Sequence, residues 1–166
     1  SAAQWLQMTW MFYHAKEKWT QARSKSFLNA VPQDKLILLD YYCDYTEIWR
    51  DTEQYYGKRY IWCYLGNFGG NTFLAGDLND VDFKIDRLFK EGGDNVYGLG
   101  VTLEGLDVNP LMYEFVFERA WENSMPAHQW IANWAQCRGG NVDNHIVKAW
   151  KQLYEKIYTS AALCGQ

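Results

Sequence analysis

The stretch Tyr97-Gly98-Leu99-Gly100-Val101-Thr102-Leu103-Glu104-Gly105-Leu106-Asp107-Val108-Asn109-Pro110 decides how this chain is read. It is an apolar, glycine-punctuated run that ends in one carboxylate. A loop follows, then a helix starting near Pro110. A carboxylate where a strand hands over to a helix occupies the catalytic face of a (β/α) barrel. The other reading of Glu104 is a loop residue that caps the next helix or sits in water.

Working outward, the run is preceded by a breaker, Glu91-Gly92-Gly93-Asp94, and before that by Leu74, Leu78, Val81, Ile85 and Leu88. That spacing predicts an amphipathic helix. Further upstream, Gly57-Lys58 turns the chain into Tyr60-Ile61-Trp62-Cys63-Tyr64-Leu65, a second strand, followed by Gly66-Asn67-Phe68-Gly69-Gly70-Asn71. Leu36-Ile37-Leu38-Leu39 is a continuous apolar run of the kind found in strands buried on both faces, and it too ends in a carboxylate, Asp40. Between these strands a short helix is expected within 46–56, with Ile48, Trp49 and Tyr55 inward. Trp5 to Phe12 is strand-like and aromatic. A helix then runs to Ala30 with Ala22, Ser26 and Phe27 on one face, stopped by Val31-Pro32.

Downstream of Pro110, Met112, Phe115, Val116, Arg119 and Ala120 mark one helix face. Another helix starts at Pro126 or Ala127, carries Trp130, Ile131 and Trp134, and stops at Gly139-Gly140-Asn141. A last helix is expected from Val142 to Ser160, with Ile146, Ala149, Trp150, Leu153 and Ile157 inward. Strands alternating with helices imply parallel pairing and right-handed crossovers. Four such units are half of a (β/α)8 barrel. The fold expected is therefore α/β, a partial (β/α)8 barrel of roughly the last four βα units, over residues 1–122. Helices over 123–166 pack on it or begin a further domain. A doubly wound open sheet competes, but no phosphate loop or dinucleotide fingerprint follows any strand.

Composition bounds the function. Charged residues make up 22% and the net charge is -4, which argues against a nucleic-acid partner held by simple electrostatics. Cys43, Cys63, Cys137 and Cys164 are scattered, with no metal-ligand spacing, so no metal site is expected. No stretch is long and apolar enough to span a membrane, and no signal peptide is visible. Ser1 falls almost directly before a strand-like segment, as in a piece of a longer polypeptide. Nine Trp and twelve Tyr are unusual, and aromatic platforms suit the C–H faces of sugar rings.

The polar and aromatic groups gather where strands end: Trp10 and His14, Asp40, Trp62 with Asn67 and Asn71, then Glu104 and Asn109. Carboxylates, aromatic walls and amides together fit sugar recognition and glycoside hydrolysis. Each also has a structural reading. His14 can be a hydrogen-bonded scaffold residue, and Asp40 can hold a turn. Asn67, Asn71 and Asn109 can be turn residues or helix caps, and the two Trp can be core.

Three strings then resemble the α-N-acetylglucosaminidases, the family 89 glycoside hydrolases. They are Trp5 to Phe12, the Tyr60-to-Asn71 segment with its Trp-Cys and Asn-Phe-Gly-Gly-Asn, and Gly98 to Gly105 followed by Asn109. The resemblance implies removal of terminal α-linked N-acetylglucosamine, for example from heparan-type chains, with retention and without metal or other cofactor. It implies Glu104 as nucleophile, with Trp10, Trp62, Asn67, Asn71 and Asn109 where the family builds its pocket. It also implies a secreted, periplasmic or lysosomal setting. Two positions depart from the family string: Gly66 stands for a His and Leu103 for a Pro. The family's general acid lies upstream of the matched region. Asp40 and Glu47 are the strand-end carboxylates here, and the chain by itself is expected to be inactive, for lack of the acid, on substrates with a poor leaving group. The other classes are a non-catalytic carbohydrate-binding or scaffold module, and a helical interaction domain, which fails if Leu36–Leu39 and Ile61–Leu65 pair. A half-barrel would expose two sheet edges, so self-association is also expected.

Overall fold

The computed structural model describes residues 3–14, 17–66, 74–105, 109–121, 125–140 and 144–160. The chain divides into two units, 1–65 with 87–102, and 66–86 with 103–166.

The first unit is built on a four-stranded sheet in the order β1 (Trp5–Met8), β2 (Leu36–Asp40), β3 (Arg59–Tyr64), β5 (Val96–Val101). Every pair is parallel, with Met8 opposite Leu39, Asp40 opposite Trp62 and Tyr64 opposite Val101. The helical interaction domain is thereby excluded, because the two strands that test it are neighbours in register. One face of the sheet, formed by Leu36, Leu38, Asp40, Tyr60, Trp62 and Tyr64, is buried. The opposite face carries Ile37, Leu39, Ile61 and Cys63 and is only partly covered toward β1, where Leu6 and Met8 are exposed.

The β1 strand is shorter than its aromatic run suggests. The chain turns into a four-residue helix, α1 (Met11–His14), closed by the Phe12 N–H donating to the Thr9 carbonyl. In α2 (Gln21–Asn29), capped by Thr20, the inward residues are Ser24 and Leu28. Ala22 and Ser26 face solvent, so the helix is rotated relative to the expected face. That run holds few large apolar residues, and its periodicity is weak.

The 46–56 segment differs more. A right-handed turn, α3 (Ile48–Asp51), is followed by a turn of the opposite hand, α4 (Glu53–Tyr56), in which all four residues have φ between 49° and 53°. For L-residues this costs roughly 1–2 kcal/mol each. The surroundings hold it. Asn95 Nδ2 donates to the carbonyls of Gln54 at 2.7 Å and Lys58 at 2.6 Å, and Gly57, at φ 85°, lets the chain leave the turn. The reversed hand seats Tyr55 in the core, 0% exposed, with its ring 5.3 Å from that of Tyr60. Ile48, Trp49 and Tyr55 are inward as expected.

The helix α5 (Leu78–Glu91) buries Leu78, Val81, Ile85 and Leu88. Leu74 lies before it and is exposed. The division between the units falls inside this helix, after Asp86.

The second unit contains α6 (Pro110–Arg119), α7 (Ala127–Gly139) and α8 (Asn144–Lys156). Met112, Phe115, Val116 and Arg119 are inward on α6, while Ala120 is exposed. Arg119 is 2% exposed and pairs with Asp82 at 2.8 Å and with Asp86. Phe115 meets Trp130 edge-on at 5.0 Å, and Trp134 meets Trp150 at 4.7 Å. The last helix ends earlier than its apolar pattern predicts, and Ala149 is exposed. Beyond it, β6 (Thr159–Ser160) pairs antiparallel with β4 (Gly76–Asp77).

Candidate active site

In the first unit, the C-terminal ends of three strands are tied together. Thr102 donates its backbone N–H to Tyr64 O at 3.0 Å and its hydroxyl to Tyr41 O at 2.5 Å, and Cys43 N–H donates to Cys63 O at 3.0 Å. Two buried carboxylates lie at or just beyond these ends.

Asp40 closes β2 and is 0% exposed. Its Oδ1 accepts from the Tyr13 hydroxyl at 2.5 Å and its Oδ2 from the Trp49 N–H at 2.9 Å. Burial lifts this carboxyl from its ordinary 3.8 to about 6, although the two donors favour the charged form. The Tyr13 hydroxyl is pushed far up, first by burial and then by the Asp40 charge. Tyr13 follows Trp10 by three residues, and its N–H donates to the Trp10 carbonyl at 3.0 Å. Asp40 therefore anchors the segment that carries Trp10, which is 52% exposed, and that ends at His14.

Glu47 is the second buried carboxylate, at 7% exposure. Its Oε1 accepts from two indoles, Trp49 Nε1 and Trp62 Nε1, each at 3.0 Å, and its Oε2 pairs with Arg87. Trp62 is 0% exposed, so its ring has no open surface; as an open pocket wall it is not what this structure shows. The alternative of a core indole, which the sequence leaves standing, describes its place. The residues that engage these carboxylates, Tyr13 and Arg87, were not singled out from the sequence. Both lie in stretches whose apolar neighbours dominate the pattern. A cleft of about 160 Å³ in this unit is lined by Phe12, Trp19, Ser24, Ile48, Asp51 and Thr52 and holds none of the expected site residues.

In the second unit, Glu104 is exposed and lies three residues past the end of β5 along the chain. Asn109 stands at the N-cap position of α6, with Pro110 at the first helical position, but its side chain makes no capping hydrogen bond. Instead, Asn109 Nδ2 donates to Ala75 O at 3.3 Å and lies 3.1 Å from Tyr158 Oη. The expected site residues are thus distributed, with Trp10, His14 and Trp62 in the first unit and Glu104 and Asn109 in the second. Asn67 and Asn71 lie outside the described residues. Among the described residues, no group of three or more His, Cys, Asp or Glu is placed to hold a metal ion, and no helix is long and apolar enough to cross a membrane.

Residues 1–123 match the family described as the alpha-N-acetylglucosaminidase (NAGLU) TIM-barrel domain. The chain belongs to that family. It is 31% identical over 160 residues to the human alpha-N-acetylglucosaminidase, over 94% of this chain and 21% of that protein. A family 89 glycoside hydrolase from Clostridium perfringens in complex with PUGNAc superposes with a TM-score of 0.79 at 21% identity, over 95% of this chain and 17% of that chain. The enzyme from the same organism in complex with its substrate GlcNAc-alpha-1,4-galactose gives 0.75 at 22% identity, over 94% and 17%. This chain spans about a fifth of the length of these relatives. At these identities the likeness to the solved structures is one of fold. The parallel four-stranded sheet with its helices is part of the family 89 TIM barrel.

Proposed function

We propose that this alpha-N-acetylglucosaminidase-family chain carries the nucleophile of a retaining exo-glycosidase. The enzyme would remove terminal α-linked N-acetylglucosamine from glycans, with Glu104 as the nucleophile. The observation that carries the reading is the place of Glu104. It is an exposed carboxylate just past a parallel strand of a family 89 barrel and before the next helix. That is where barrel enzymes keep catalytic groups.

The substrate's chemistry demands such a group. In an α-linked N-acetylglucosamine the 2-acetamido group and the leaving group share one ring face. The acetamide cannot attack C1 from behind, so a protein carboxylate must form the glycosyl intermediate, about 5–5.5 Å from an acid partner. That C. perfringens substrate complex carries two Glu-to-Gln replacements, which suits a pair of carboxyl groups. In this chain Asp40 and Glu47 are already engaged by protein donors, which favours an acid from outside the matched region. Trp10, His14, Asn67, Asn71 and Asn109 supply the sugar contacts in this reading.

The 166-residue chain should leave substrates with poor leaving groups untouched, because a missing general acid forfeits roughly 10²–10⁴-fold. A dinitrophenyl α-N-acetylglucosaminide, whose leaving group needs no proton, should be turned over slowly, and Glu104→Gln should abolish that turnover. Release that survives Glu104→Gln refutes the assignment. Micromolar binding of N-acetylglucosamine, followed by Trp fluorescence, with no turnover of either substrate would favour a non-catalytic sugar-binding module.

A further inference from the structure

We infer that Tyr158 is a positioning residue. Its hydroxyl, delivered by the segment after α8, holds Asn109 against the chain at Ala75 and thereby sets the described ends of the two connections that follow β3 and β5. What is positioned rests on the proposed function; the tie itself does not.

Asn109 is the first part of the argument. An Asn at an N-cap ordinarily accepts from the first turn of its helix. Here that bond is absent, although Asn109 sits at the cap. The side chain is turned to other work: its Nδ2 donates to Ala75 O at 3.3 Å, and its amide exchanges hydrogen bonds with Tyr158 Oη at 3.1 and 3.2 Å. An amide with donor and acceptor ends can serve both partners at once.

Tyr158 is the second part. It lies outside the 1–123 match and is 0% exposed. A buried tyrosine hydroxyl needs a partner, and Asn109 supplies it. The Tyr158 carbonyl accepts the N–H of Leu78, the first residue of α5, at 3.0 Å. The next two residues, Thr159 and Ser160, pair with Asp77 and Gly76. Three consecutive residues therefore hold positions 76–78 by backbone and position 109 by side chain. A two-residue ladder is too short to be stable alone, so the side-chain bond gives it direction. Asn109 follows Glu104 by five residues, and Ala75 follows Asn71 by four. The tie thus sits at the downstream end of each stretch that the family resemblance makes functional.

The test uses the 166-residue chain and hydrogen exchange read residue by residue. Tyr158→Phe keeps the buried ring and removes only the hydroxyl. We expect exchange at Gly76, Asp77, Leu78 and 111–113 to rise about tenfold, with Ile131–Ala135 in α7 and Leu36–Asp40 in β2 unchanged. The Asn109 side-chain amide resonances should move to solvent-like positions. Asn109→Ala should give the same local acceleration at 76–78, and the double variant should add nothing to either single. Three results overturn the inference: Phe indistinguishable from wild type while Tyr158→Leu alone loosens the segment, a rise spread evenly over α7, or additive effects of the two substitutions. None of these readouts involves substrate. A failed Glu104 assignment therefore leaves them unchanged, and a failed tie leaves the Glu104→Gln test intact.

Discussion

Replacing Asp40 with Asn should stabilise the protein at neutral pH, and the gain should disappear as the solution is acidified. Asp40 is 0% exposed, and burial holds its carboxyl at about 6 rather than 3.8. The folded state therefore binds this proton more tightly than the unfolded state does. Stability contributed through Asp40 is greatest where the group is protonated. It falls as pH rises from 3.8 through about 6, then stays level. At 1.36 kcal/mol per pH unit, the wild type carries a penalty of about 1 kcal/mol near pH 4.5 and about 3 kcal/mol at pH 8.

Asparagine is uncharged and can satisfy the same partners. Its oxygen accepts the Trp49 N–H and its NH2 donates to Tyr13 Oη. The Tyr13 hydroxyl then keeps its donation to Thr46 O, 2.9 Å away. Alanine, by contrast, strands the Trp49 N–H, leaves the Tyr13 hydroxyl only its bond to Thr46 O, and opens a void, so Asp40→Ala should cost about 2–5 kcal/mol at pH 8. The assay is urea unfolding followed by far-ultraviolet circular dichroism at both pH values. The difference between Asn and Asp variants isolates this one group from every other carboxylate. It should change by about 2 kcal/mol between the two pH values, in favour of Asn at pH 8. A pH-independent difference, or an Asn variant less stable than wild type at pH 8, would show that the buried carboxylate is not the strained group described.

Glu47→Gln sets an amide against the Arg87 guanidinium in a buried site, and should cost about 3 kcal/mol in the same unfolding assay. Trp62→Phe removes one of the two indole donors to Glu47 and should cost about 1–3 kcal/mol. At Gly76 an added Cβ would lie 2.7 Å from Met112 Sδ, so Gly76→Ala should lower stability by about 1–3 kcal/mol, read as a fall in urea midpoint with unchanged slope. Among the described residues β1 pairs with β2 alone and β5 with β3 alone, so the 166-residue chain should self-associate through its sheet edges. Light scattering at high concentration should give a mass above 19.5 kDa, and a clean monomer would count against edge pairing.

The strand at Leu36–Asp40, the strand expected at Tyr60–Leu65 and found one residue earlier, the helix carrying Leu78, Val81, Ile85 and Leu88, and the barrel class were legible in the residues alone, because unbroken apolar runs and regular spacings report burial directly. The sequence also singled out Glu104 and the strings that carry the family resemblance, which need only residue identity and order. Only the tertiary structure decided the hand of the turn at Glu53–Tyr56. Each residue there is locally unfavourable, and the amide that clamps Gln54 comes from Asn95, 41 residues away. It also decided which carboxylates are engaged. The donors to Asp40 and Glu47 include Tyr13, Trp62 and Arg87, which lie 27, 15 and 40 residues from their acceptors. The two-residue strand after α8 has no apolar period to betray it and exists only because Gly76 and Asp77 are there to pair with. Burial leaves a local signature in the chain, whereas a hydrogen bond between distant residues leaves none until folding brings its ends together.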